Sequence, residues 1–136
     1  MPVLVVTFTS IDVHDDADNF SEGEIYYDMR IGETSIVSRS RDNTQDIDSG
    51  GVIQLNAQRT LSRPDNDSNA FLQISGSVSE QDSGLTFEDD HAGSFTHIHN
   101  QANNWGIGTN DARLTGDGLD VTVHYTITSA VVDPNL

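Results

Sequence analysis

The acidic residues of this 136-residue chain are concentrated in two short windows. The first acidic window, residues 12–24, holds six acids in 13 positions, and the second, residues 80–90, holds five in 11. The other 112 residues hold the remaining 11 acids. Carboxylates a few ångströms apart repel one another by roughly 1 kcal/mol even in water. We therefore expect a cation to offset this repulsion where the windows fold.

Calcium is the cation that fits such windows best. It takes about six to eight oxygen ligands in flexible geometry, whereas magnesium, the alternative ion, requires a tighter octahedron. Neither window matches the helix-flanked loop of an EF-hand. The competing interpretation is that both windows are solvated acidic loops with no bound ion.

The elements that must position these acids are β-strands. Apolar and polar residues alternate with period two along most of the chain, and helical periodicity is nearly missing. The predicted strands are residues 3–13, 24–31, 34–39, 52–61, 70–80, 94–99 and 119–128, and residues 101–118 are predicted to be irregular. Seven or eight such strands predict a single all-β domain over residues 1–136, an antiparallel sandwich with the acidic loops at one end.

Both windows resemble the calcium loops of a known family. The run HDDAD at residues 14–18, followed by GEIY at residues 23–26, is similar to the first calcium loop of the C2 family of calcium-dependent phospholipid-binding domains. The run EQD at residues 80–82, followed by EDDHAG at residues 88–93, is similar to the later loop of that family. The resemblance implies the sandwich fold and cation binding. The lysine-rich, lipid-facing surface of the family is absent, because this chain has no lysine.

The acidic windows and the resemblance together give eight candidate metal ligands. They are Asp15, Asp16, Asp18, Glu24, Glu80, Asp82, Asp89 and Asp90.

The overall charge restricts the partners. The chain has 22 acidic and six basic residues, a formal net charge of −16, and every base is arginine. Such a chain repels nucleic-acid phosphates and anionic membranes unless cations intervene. We therefore expect no nucleic-acid partner, and a membrane partner is not favoured. The aspartate-rich, lysine-free composition resembles that of proteins from salt-loving archaea and their viruses.

Other residues suggest chemistry less strongly. His97 and His99 are two apart on a predicted strand, a spacing that can hold zinc with His124 as a third ligand. We favour ordinary polar residues or histidines at the core edge with hydrogen-bond partners. Trp105 and Tyr26 are candidates for a sugar-binding platform, although a tryptophan here more often plugs the end of a sandwich.

Catalysis is not expected. The chain contains no cysteine and no Gly-x-Ser-x-Gly motif. Paired carboxylates can hydrolyse glycosides, but these acids have too many like-charged neighbours to separate an acid from a base. A hydrolase that uses loop carboxylates is the remaining catalytic alternative.

The leading functional hypothesis is a calcium-binding module for assembly or adhesion, with protein partners in a homo- or hetero-oligomer. A virion accessory protein of a halophilic virus, such as a capsid turret, decoration or tail protein, fits this hypothesis. The N-terminal residues do not resemble a signal peptide, no apolar run is long enough to span a bilayer, and yet calcium is scarce in cytoplasm. A virion protein is made inside the cell and works outside it, so we expect a virion or extracellular location. The alternative is a calcium-dependent lipid- or carbohydrate-binding module, for which Phe20 and Phe87 would be exposed aromatic contacts.

Overall fold

The computed structural model describes residues 2–18, 22–62, 67–82 and 88–131. These ranges contain nine strands and a short 3₁₀ helix, Gln101–Gly106. The strands are β1 (Pro2–Asp16), β2 (Gly23–Ile31), β3 (Thr34–Arg39), β4 (Gln45–Ile47), β5 (Val52–Ser62), β6 (Phe71–Glu80), β7 (Asp90–Asn100), β8 (Gly108–Gly116) and β9 (Leu119–Val131). None of the helices described is long and apolar enough to cross a membrane.

The strands form two antiparallel sheets that face each other. One sheet has the order β5-β1-β9-β8, and the other has the order β3-β2-β6-β7 with the short strand β4 also paired to β2. The all-β sandwich predicted from the alternation is therefore confirmed, with nine strands in the described ranges instead of seven or eight.

The core lies between the inner faces of the two sheets. Every second residue of β2 from Gly23 to Met29 is buried, and the apolar residues of β9 alternate in the same way. Phe8 and Tyr125 are fully buried at the centre, with ring centroids 5.9 Å apart. Burial of each such large side chain contributes about 1.5–3 kcal/mol to the stability of the fold. Because successive side chains of a strand point to opposite faces, the period-two pattern gives each sheet one apolar face, and these two faces pack together.

Two strands of the structure, β8 and β4, lie outside the strands that the sequence predicted. Strand β8 occupies residues 108–116 at a sheet edge and buries only Ala112 and Leu114, so its alternation is too weak to recognise. Strand β4 has three residues. Strand β7 begins at Asp90, whereas the prediction began it at residue 94. Its pairing with β6 shifts register between Val78 and Ser79, where Ala92 is the additional residue of β7.

The two ends of the sandwich differ in composition. The acidic end is formed where β1 and β6 end and where β2 and β7 begin, and it also carries the β8–β9 turn. The far end carries the Gly32–Glu33 turn, the start of β6 and the 3₁₀ helix. Both acidic windows reach the acidic end because β1 and β6 terminate there.

Candidate metal centre

Three carboxylates of the second acidic window converge at the acidic end. Glu80, the last residue of β6, pairs with Ile25 of β2 on one side and with Asp90 of β7 on the other. Cross-strand partners share a face of the sheet, and Ile25 is buried in the core, so Glu80 faces inward. One carboxylate oxygen from each of Glu80, Asp82 and Asp90 lies within 4.8 Å of the other two.

Glu80 is the buried member of this group, the carboxylate triad. Only 1% of its surface is exposed, and its Oε2 atom is buried with no hydrogen-bond partner among the described residues. A buried polar atom without a partner costs about 1–3 kcal/mol, more if it is charged. The triad therefore lacks a positive group, which either a proton or a cation supplies.

The environment favours protonation of the triad when no cation is bound. Burial raises the pKa of Glu80 to about 8, and the neighbouring carboxylates of Asp82 and Asp90 act in the same direction. Burial, followed by the charge of Asp82, also raises the pKa of Asp90. A cation entering this group would therefore compete with a proton near neutral pH.

Asp89 lies beside the triad but already has a cationic partner. Its two carboxylate oxygens accept hydrogen bonds from Arg41, from Nε at 2.6 Å and from Nη2 at 3.0 Å. The Tyr26 hydroxyl and the Asp82 backbone N–H donate to the same carboxylate, at 2.8 Å and 3.3 Å. The Arg41 guanidinium lowers the pKa of Asp89 to about 2. Asp89 thus fixes the start of the β6–β7 loop and holds Asp82 in place.

The first acidic window folds back on its own backbone. Asp16 is 3% exposed, and its Oδ1 and Oδ2 accept hydrogen bonds from the N–H groups of Asp18 at 3.0 Å and Gly23 at 3.2 Å. Asp15 accepts from the N–H of Ala17 at 3.0 Å. A Cβ atom at position 23 would lie 2.7 Å from the Asp16 Cβ, so the close approach requires glycine. These carboxylates close the loop between β1 and β2.

The structure therefore brings together three of the eight candidate ligands. Glu24 lies on the outer face of β2, between two buried positions, and its carbonyl accepts a hydrogen bond from the Gln81 N–H at 2.8 Å. In the described part of the chain, five candidates lie outside the triad, and metal binding by them stays a prediction. These five are Asp15, Asp16, Asp18, Glu24 and Asp89.

Sequence reasoning missed a fourth acid next to the triad. Asp117 lies in the β8–β9 turn, accepts a hydrogen bond from the His91 N–H at 3.0 Å, and contributes to the raised pKa of Asp90. Asp117 and Gly118 have φ values of 53° and 85°, as a two-residue hairpin turn requires. The Asp-Gly dipeptide directly before strand β9 is the sequence signal that identifies this turn.

The histidines form separate hydrogen-bonded groups. His97 Nδ1 and His99 Nε2 lie 2.6 Å and 2.8 Å from the hydroxyl of Tyr125, inside the core. His124 lies on the outer face of the other sheet, between Asp12 and Asp111. His124 therefore cannot join His97 and His99 in a zinc site. Each of the three histidines has a hydrogen-bond partner instead.

The aromatic candidates for sugar binding are separated. Trp105 is buried at the far end, where it plugs the sandwich, and Tyr26 contacts Asp89 at the acidic end. The two rings therefore cannot form one surface, and the prediction of a sugar-binding platform from Trp105 and Tyr26 is wrong. Phe20 and Phe87 lie outside the described residues.

Comparisons with known proteins show resemblance at the level of the fold. No family model matches the chain, and no curated protein sequence matches it significantly. A solved structure described as a C2 domain superposes with a TM-score of 0.55 and 13% sequence identity, covering 94% of this chain and 99% of that one. The fold is therefore a C2-like β-sandwich.

Two further solved structures have lower similarity. A C2 domain of plant extended synaptotagmin 1 gives a TM-score of 0.46 at 10% identity, covering 96% of both chains. Human GIVD cytosolic phospholipase A2 in complex with methyl gamma-linolenyl fluorophosphonate gives a TM-score of 0.44 at 13% identity. The match covers 93% of this chain but only 17% of the phospholipase chain.

Proposed function

We propose that this chain is a non-catalytic calcium-binding module and that the carboxylate triad of Glu80, Asp82 and Asp90 holds the ion. The observation that carries the proposal is the Oε2 atom of Glu80. This atom is buried and accepts no hydrogen bond from the described residues. The carboxylates of Asp82 and Asp90 lie beside it, and among the described residues no basic side chain forms an ion pair with either of them.

The dimensions of the triad suit calcium. Oxygens bound to one calcium at about 2.3–2.6 Å can lie at most about 5 Å apart. The three carboxylates meet this limit with oxygens within 4.8 Å of one another. Asp82 and Asp90 are half-buried, which leaves water or a partner's oxygen able to complete the coordination shell. Magnesium is the alternative hard cation, whereas zinc would favour nitrogen or sulfur ligands that the triad lacks.

The proposed role is assembly or adhesion. A chain with a net charge of −16 repels other acidic proteins, and a calcium ion at an exposed sandwich end can bridge two such surfaces. A place in the virion of a halophilic virus is the specific form of this proposal, and the lysine-free, acidic composition is its support. The partner would be a protein, either another copy or a different chain.

No catalytic role is proposed for the acidic end. A carboxyl pair that works as acid and base needs two different pKa values in one site. The carboxyl of low pKa here, Asp89, is bound to Arg41, and the pKa values of Glu80 and Asp90 both shift upward. Lipid or carbohydrate binding through Phe20 and Phe87 remains the alternative module function.

Calorimetric titration with calcium chloride tests the proposal. We expect the wild-type chain to bind calcium and release protons, because the ion displaces a proton from the triad. Glu80→Gln and Asp90→Asn should each abolish binding, whereas Asp111→Asn, on the outer face of the other sheet, should leave it unchanged. Wild-type affinity in the Glu80→Gln variant would refute the triad as the site. Sedimentation with and without calcium then tests the assembly role.

A further inference from the structure

A cavity of about 590 Å³ opens at the far end, between the edge strands β3 and β5. Its floor is apolar and consists of the buried side chains Leu4, Ile31, Leu72 and Trp105. Phe71, 63% exposed, lies at its rim. Cavities of roughly 300–1,000 Å³ with apolar walls are the usual size for small-molecule sites.

The backbone holds Trp105 at this cavity in an unfavourable conformation. Asn104 and Trp105 have φ values of 56° and 58°, in the left-handed region that bulky residues rarely adopt. The Asn100 side chain accepts hydrogen bonds from the N–H groups of Ala102 and Asn103, which starts the 3₁₀ helix. The fold thus uses a capped, strained turn to place the indole against the cavity.

Two charged side chains line the mouth of the cavity, and neither has a partner in the described part of the chain. Four of the five described arginines donate side-chain hydrogen bonds, to Asp28, Thr44, Asp89 and Asp120. Arg59 is the fifth, and its guanidinium has no acceptor among the described residues. Glu33, in the β2–β3 turn, is exposed and likewise has no partner in the described ranges. Arg59 is thus the one described arginine whose side chain donates no hydrogen bond to another described residue.

We propose that this cavity binds a small zwitterion with an apolar body, of the size of an apolar dipeptide. The carboxylate of the ligand pairs with Arg59, whose planar fork suits bidentate binding, and the ammonium pairs with Glu33. The apolar side chains of the ligand pack on Leu4, Leu72 and Trp105. Each of the two charges at the mouth then has a partner, and the apolar floor is covered.

Tryptophan fluorescence reports on this cavity directly, because Trp105 is the only tryptophan in the chain. Titration with the dipeptide phenylalanyl-leucine should change the emission of Trp105 in a saturable way. The N-acetylated dipeptide and the C-terminal amide should each bind about tenfold more weakly, because each loses one charged pair. Decanoate, which is anionic and apolar but has no ammonium, should also bind more weakly.

Variants at the mouth test the assignment of the two charges. Arg59→Gln should weaken the dipeptide about tenfold and remove the preference for a free carboxylate, and Glu33→Gln should remove the preference for a free ammonium. Arg30→Gln, at an exposed arginine paired with Asp28, is the matched control and should bind like the wild type. All three positions are exposed, so the variants should fold.

Three results would overturn the proposal. The first is an emission that does not saturate with the dipeptide, and the second is equal binding of the charged, acetylated and amidated dipeptides. The third is an unchanged preference in Arg59→Gln and Glu33→Gln. The titration is repeated with Glu80→Gln, which should bind the dipeptide normally, so failure of this site and failure of the calcium site are distinguishable.

Discussion

The two acidic windows have similar densities of carboxylates, yet the structure uses them differently. In the first window, both oxygens of Asp16 accept hydrogen bonds from the backbone, so the carboxylate is part of the loop. In the second window, Oε2 of Glu80 has no donor among the described residues, and two carboxylates are its neighbours. The two windows thus differ in the supply of hydrogen-bond donors to their buried carboxylates, and not in the number of acids.

The largest effect should come from the first window and should not depend on calcium. Asp16→Ala removes the acceptor of two backbone N–H groups, so we expect the free energy of unfolding to fall by about 2–4 kcal/mol. Urea unfolding with and without calcium measures this. Asp15→Ala, which removes an exposed hydrogen bond, is the control and should cost under about 1 kcal/mol. A loss of calcium binding at full stability in Asp16→Ala would instead make Asp16 a ligand.

The stability effect of the second window, in contrast, should depend on calcium. With calcium at about 100 times its dissociation constant, the wild-type free energy of unfolding should rise by about 2.7 kcal/mol. Glu80→Gln should show no such rise, yet without calcium at pH 9 it should be at least as stable as the wild type, because it carries no buried charge. Thermal unfolding of both proteins measures the difference. Equal stabilisation of both by calcium would count against the triad.

The pH dependence of stability distinguishes the windows further. The folded protein holds a proton on Glu80 up to a pKa of about 8, whereas the ordinary value is 4.5. The stability from this proton is complete below about pH 4.5 and is lost as the pH rises through about 8. We expect the free energy of unfolding to fall over this pH range without calcium, measured by urea unfolding at several pH values. Glu80→Gln should flatten this change; a wild-type slope in the variant would assign the titration to another group.

The smallest effect on stability should come from the ion pair of Asp89 and Arg41, beside the triad. Asp89 has a pKa of about 2 because of Arg41, so its contribution to stability is present above its ordinary value of 3.8 and is lost as the pH falls toward 2. Arg41 is half exposed, so Arg41→Gln should lower the free energy of unfolding at pH 7 less than any of the changes above. The pKa of Asp89, followed by NMR, should rise in the variant. An unchanged pKa would show that Tyr26 and the backbone hold the carboxylate.

Much of the fold was predictable, because the central strands carry a strong period-two signal. Strands β2 and β9 bury every second residue, and their predicted bounds are close to those observed. The edge strands were not predictable for the opposite reason. Strand β8 buries only Ala112 and Leu114, and strand β4 is too short to show a period.

The site was predictable only in part. The clustering of acids correctly placed both windows at one end of the sandwich, since β1 and β6 end there. It did not reveal that Asp89 pairs with Arg41, because 48 residues separate them and one arginine resembles another in sequence. Nor did it reveal Asp117, which lies far from both windows in the chain and reaches Asp90 only through the hairpin turn.

The core hydrogen bonds of Tyr125 determine the tautomers of two histidines. The phenol has one proton, so it donates to one imidazole and accepts from the other. His99 Nδ1 is buried with no partner among the described residues, and a lone acceptor costs less there than an orphaned N–H. His99 therefore carries its proton on Nε2 and donates to the phenol, which donates to Nδ1 of His97. The two hydrogen bonds therefore point in one direction, from His99 through Tyr125 to His97. The ¹⁵N chemical shifts of the two imidazoles should show two neutral rings, each protonated at Nε2.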